Sequence, residues 1–122
     1  VLSVMLRRGY GLGAMAMAAG HFHAPLATCA WPGGEFGPMG LEGAVRLGFR
    51  KELEAVEGVE REALFQRLVE ESLARGQALN MASHLEIDDV IDPAETRAWL
   101  LRHLRTLDGR ALPPRRAFID PF

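Results

Sequence analysis

The 122-residue sequence contains a single cysteine, Cys29, within the apolar run LATCAW. One thiol cannot build an intrachain disulfide framework or a cysteine-rich metal cage, so Cys29 reads as a buried small hydrophobe in an intracellular, cytoplasmic protein. An excess of charge of either sign is also lacking. Fourteen Lys+Arg stand against sixteen Asp+Glu, a net charge of -2, and the basic residues are dispersed among acidic neighbours. This leaves no electrostatic footprint for nucleic acid. From Gly9 to Gly34 there is no Asp, Glu, Lys or Arg at all. Six glycines, two prolines and two histidines interrupt that stretch, so it reads as backbone buried in a folded core rather than a membrane span. A signal-peptide pattern is lacking as well. The chain opens on Val1 in what reads as a core strand, and we expect it to be a piece of a longer protein.

What is present is an alternation of strand-like and helix-like segments. Residues 1–6 read as a buried strand, followed by a glycine-rich turn and a short helix over 12–19. Leu26 to Trp31 reads as a second strand, ended by Pro32, Gly33 and Gly34. Gly40 to Val56 reads as a helix weakened by Gly43 and Gly48. Glu60 to Leu79 reads as a longer one, with Leu64, Phe65, Leu68, Ser72, Leu73, Gly76 and Leu79 on one face. LEIDDVID, residues 85–92, reads as a strand. Asp92, Pro93 and Glu95 then mark a helix start, running to about Leu107 and ended by Gly109. The tail 108–122 carries three prolines and reads as an extended C-terminal arm. The order of elements predicts an α/β fold with parallel pairing.

Four groups of residues are candidates for chemistry. Gly9 to Ala14 has the outline of a dinucleotide-binding turn, G-x-G-x-x-A. Such a turn opens a long helix and expects an acid at the end of the next strand. Here the helix reaches only about two turns before Gly20, Arg7 and Arg8 precede the turn, and Glu35 follows Pro-Gly-Gly, so the pattern disfavours a nucleotide. His21 and His23 have H-x-H spacing without a third ligand in sight, and read as part of a polar turn. Asp88 and Asp89 read as a strand entrance or interface more readily than as catalytic carboxylates. The remaining chemistry needs no special side chain: consecutive backbone N–H groups in GYGLGA, at a helix start, suit a developing oxyanion on a thioester or urea carbonyl. Glycine there lets a ligand approach the backbone.

Three motifs in order carry a resemblance. RRGYGLGAMAM resembles, without a gap, the segment RKAYGGAYDVM of the carboxyltransferase (beta-type) subunits of biotin-dependent acyl-CoA carboxylases. AWPGGEFGPMGLEGAV is similar to that family's AWPTAEIAVMGAKGAV, and IDDVIDPAETR to its VDDVIDPxxTR. Together they span Arg7 to Arg97. The resemblance implies the C-terminal half of a two-part, crotonase-like fold of ββα repeats, acting with an N-terminal half, a biotin carboxylase and a biotin carrier in a homo-oligomer. It implies transfer of a carboxyl group from carboxybiotin to the α-carbon of an acyl-CoA, this chain supplying the biotin side, with no metal of its own. By the match, the amides of Leu12 and Gly13 form an oxyanion hole, and Tyr10, Gly11, Ala14 and Met15 line its surroundings.

Departures from the pattern are Met15, where many members carry Asp or a β-branched residue, and Leu12, where they carry glycine. Leu12 keeps its N–H, but its side chain must point away from the ligand. ASHLEIDD lacks the usual Arg-Gly-aromatic. The alternative from a different class is a non-catalytic crotonase-like assembly module.

Overall fold

The computed structural model describes residues 1–107. Five strands and six helices follow one another as β1 (Leu2–Met5), β2 (Arg8–Tyr10), α1 (Gly11–Met17), β3 (Ala27–Ala30), β4 (Glu35–Gly37), α2 (Leu41–Gly48), α3 (Arg50–Glu54), α4 (Gly58–Arg75), α5 (Ala78–Ser83), β5 (Asp89–Val90) and α6 (Thr96–Arg105), the last preceded by a 3₁₀ turn, Pro93–Glu95. Two successive ββα units open the chain. Their first strands join β5 in a parallel sheet ordered β1-β3-β5, with Leu2 opposite Ala27 and Cys29 opposite Asp89. Their second strands pair separately, also in parallel, with Gly9 opposite Phe36.

Alternation along the strands divides the core. Leu2, Val4, Ala27 and Cys29 face Ile91 and Trp99. Met5 and Ala30 face Phe36, Ala78 and Ile87 on the other side. A third cluster of Val45, Leu53, Phe65 and Leu68 joins α2 and α3 to α4, with the Arg46 guanidinium 4.5 Å above the centre of the Phe65 ring. Thr28 is fully buried, and its polar atoms are satisfied: its N–H donates to Asp88 Oδ2 at 2.7 Å and its hydroxyl to the Phe22 carbonyl at 2.7 Å. Asp88 thus fastens the entrance of β5 to β3. Trp31 Nε1 donates to Thr96 Oγ1 at 2.9 Å, fixing the start of α6. Asp92 caps that start as its position suggests, accepting from the Ala94 N–H at 2.8 Å.

Several element boundaries differ from the sequence expectations. The helix expected over 40–56 breaks at Gly48–Phe49 into α2 and α3. The break turns Phe49 back against the Val45 and Leu53 cluster. The helix expected to reach Leu79 stops at Arg75, because residues 76–78 pair with the backbone of 34–36. Phe36 N–H donates to the Gly76 carbonyl at 2.7 Å, and Ala78 N–H to Gly34 at 3.0 Å. Leu79, expected on the core stripe, is 68% exposed. Regular pairing in the expected strand 85–92 is confined to Asp89 and Val90. Strands β2 and β4 are too short to leave a periodic signal. Gly109 and the arm at 108–122 lie outside the described residues.

A side chain at Gly76 would collide with the Phe36 backbone, whereas Gly48 has open space around its missing Cβ. Gly76→Ala therefore lowers stability by about 1–3 kcal/mol. Gly48→Ala raises it by about 0.5–1 kcal/mol. Urea unfolding of the two variants beside the parent measures the opposite signs.

Candidate functional site

The GYGLGA turn sits at the junction of the second sheet and α1. Tyr10 ends β2 with extended backbone (φ -109°, ψ 138°), and Gly11 follows at φ +61°. A Cβ at Gly11 would lie 2.8 Å from the Pro38 carbonyl, so both conformation and space require glycine there. Helix α1 begins at once. Its first amides have no acceptor four residues back within the helix; that of Gly11 continues the β2–β4 ladder past the Tyr10–Gly37 pair, and those of Leu12 and Gly13 have no turn or loop partner among the described residues. The region beyond Gly13, where a Cβ would stand, is open. The Leu12 side chain is 82% exposed.

Beside this turn is a cleft of about 630 Å³ between α1, β4, α2 and the end of α4. Met15, Phe22, Phe36, Leu41, Val45 and Phe49 give it an apolar lining, to which Gly11 and Leu12 contribute the rim nearest the amides. Arg75 is its charged residue. The structure therefore gathers Gly11, Leu12 and Met15 around one opening. Ala14 is buried beneath the helix, and Tyr10 turns its hydroxyl to β4 instead.

The other candidates are placed apart from this opening. His21 and His23 lie in an exposed turn, where His23 N–H donates to His21 Nδ1 at 3.1 Å. Among the described residues no group of three or more His, Cys, Asp or Glu is disposed to hold a metal ion. Cys29 is fully buried, and burial, with Asp89 and Asp88 adding to it, pushes its thiol up to about 11. It stays protonated at neutral pH and is no nucleophile. None of the described helices is long and apolar enough to cross a membrane.

One residue was not picked out by sequence reasoning as part of this region except as a misplaced nucleotide acid. Glu35, at the start of β4, accepts a hydrogen bond from the Tyr10 hydroxyl at 2.7 Å and lies 3.4 Å from Arg8 Nε. Desolvation, then the hydrogen bond and charge of Glu35, push the Tyr10 phenol up to about 12. Tyr10 is the single tyrosine of the chain, so its phenolate absorbance reports this contact alone. Because the folded phenol holds its proton more tightly than the unfolded one, its stabilising contribution is intact below pH 10 and is lost as pH rises toward 12. Spectrophotometric titration gives a midpoint near 12, and Glu35→Ala moves it back toward 10.

The comparisons with known proteins follow this geometry. Residues 1–117 match the family described as carboxyl transferase domain. The propionyl-CoA carboxylase carboxyltransferase subunit of Haloferax mediterranei is 34% identical over 112 residues, which are 90% of this chain and 21% of that protein. Among solved structures, a single-chain, multi-domain long-chain acyl-CoA carboxylase is 56% identical, with a TM-score of 0.66 over 81% of this chain and 9% of that one. The transcarboxylase 12S hexamer is 30% identical, with a TM-score of 0.82 over 99% of this chain and 23% of that one. The chain thus spans about a fifth of the curated relative's length. The paired sheets and ββα units are those of the crotonase-like α/β fold of such carboxyltransferases. By sequence and fold together, the chain belongs to the carboxyl transferase domain family.

Proposed function

We propose that this chain is the C-terminal, biotin-side half of a carboxyltransferase site that moves a carboxyl group from carboxybiotin to the α-carbon of an acyl-CoA. The observation that carries the reading is the pair of amides at Leu12 and Gly13, without a turn or loop partner among the described residues and beside an open cleft, in a chain of this family. The open space at Gly13 fits a flat, uncharged ring system brought edge-on to the amides. Biotin, carried on a separate carrier domain, supplies the carboxyl group and the base for the α-proton.

The residues of this chain bind and stabilise. Amides of Leu12 and Gly13 donate to the oxygen on which negative charge develops as the carboxyl group leaves, and they are already aimed before the reaction begins. Gly11 gives the ligand access to the backbone. Met15 borders the acyl-binding side, and Ala14, packed underneath, holds α1 close to β2. Tyr10 stands at the edge of the site. A general acid or base from this chain has no place in the scheme, in keeping with the protonated thiol of Cys29 and the exposed turn of the two histidines. The second oxyanion hole belongs to an N-terminal half, and the full enzyme works with biotin carboxylase and biotin carrier components, as a homo-oligomer, in the cytoplasm.

Two measurements test this. Replacing the Gly13 amide by an ester in the full enzyme removes one N–H without adding a side chain, and lowers kcat by about 10²- to 10³-fold. An undiminished rate would overturn the assignment. The 122-residue chain alone, given carboxybiotin and an acyl-CoA, forms no malonyl- or methylmalonyl-CoA; product in that assay would contradict the half-site.

A further inference from the structure

We propose that Glu35 is a positioning residue, whose carboxylate holds the Tyr10 hydroxyl and thereby fixes the Tyr10–Gly11 step from which the Leu12 and Gly13 amides project. The proposal rests on the functional reading just given. Its basis is an acid placed where strand pairing alone would not require one. Glu35 stands opposite Arg8 in the β2–β4 ladder, and its side chain is 25% exposed. A single oxygen, Oε2, accepts from the Tyr10 hydroxyl at 2.7 Å and lies 3.4 Å from Arg8 Nε as an ion pair.

The backbone around Glu35 is held from both sides. Its N–H donates to the Arg7 carbonyl at 2.6 Å, and it forms an antiparallel bridge with Gln77. The carboxylate is therefore carried on a fixed support, while Tyr10 lies at the free end of a strand of three residues. Next to Tyr10 the chain must pass into the left-handed region at Gly11 and start a helix with no side-chain cap. Three residues of ladder constrain such a turn weakly; a charge-assisted hydrogen bond across the ladder constrains it further. The aromatic ring, packed over Gly37, whose missing Cβ would lie 3.4 Å from Tyr10 Cδ1, is the lever through which the carboxylate acts on the backbone. A misplacement of about an ångström at the reacting centre costs on the order of 10²-fold in rate, so a loosened turn registers in kcat.

The experiment uses the full carboxylase with its carrier and compares Tyr10→Phe, Glu35→Ala, Glu35→Gln and the Tyr10→Phe/Glu35→Ala pair. Tyr10→Phe and Glu35→Ala each lower kcat by about tenfold to a hundredfold, with KM for the acyl-CoA within twofold. The double variant is no worse than the worse single one, because both break one contact. Glu35→Gln, which keeps an acceptor for the phenol, recovers most of the rate. Deuterium uptake by the peptide spanning residues 11–18 rises in Glu35→Ala and not in Glu35→Gln. Additive losses, an unchanged kcat in Glu35→Ala, or a raised KM at unchanged kcat would overturn the positioning role. If the parent enzyme carboxylates no acyl-CoA, the functional reading fails by itself; the deuterium uptake still decides whether Glu35 holds the turn, and equal uptake in parent and Glu35→Ala would sink it.

Discussion

Close approach of backbone to backbone along residues 34–37 is the constraint on which the rest of the structure depends. Strand β4 has β2 on one side and residues 76–78 on the other, so it is held by main-chain hydrogen bonds along both edges. That proximity forbids side chains at Gly76 and brings Ala78 Cβ to 3.4 Å from where a Gly34 Cβ would stand. It also ends α4 at Arg75, so the last turn of that helix faces the first turn of α1 across the cleft. The opening beside the GYGLGA turn is thus a product of how β4 is gripped, and its apolar walls come from helices that pack against one another through Val45, Leu53, Phe65 and Leu68.

The proposed site relies on the main chain, and the shifted side chains of this region are not proton carriers. The large shifts, on Tyr10 and Cys29, both favour the neutral form. Neither group is poised to move a proton near neutral pH. What the site region offers instead is orientation: unpaired N–H groups at a helix start, a glycine forced into the left-handed region, and an apolar wall that lowers the local dielectric and strengthens each donor. Charged pairs elsewhere, such as Arg50 with Glu54 and Arg67 with Glu71, lie on exposed helix faces where solvent screens them.

Much of this was legible in the sequence where local signals are strong. Asp92 and Pro93 announced the start that caps the last helix, Leu26 to Trp31 contained β3, and the glycines before Ala14 marked a turn that needs them. The family resemblance located the same turn and implied the paired ββα arrangement. Strands β2 and β4 were missed because three residues carry no period, and their pairing joins segments 27 positions apart. The helix stop at Gly76 was missed for a related reason: Leu64, Phe65, Leu68 and Ser72 continue a helical stripe to Gly76 and Leu79, and only the distant Phe36 backbone ends it. Glu35 was noticed as an acid at the wrong place for a nucleotide. Its bond to Tyr10 depends on strand register, which neither residue encodes locally.

Strand β1 lies at one edge of the sheet β1-β3-β5 among the described residues, with the Ser3 hydroxyl buried and without a hydrogen-bond partner there. An edge of this kind, carrying Leu2 and Val4, is a template for pairing with any extended chain. An extended segment laid along that edge would complete its main-chain hydrogen bonds, so the same pairing that extends the sheet would also shield it from a second copy of the chain.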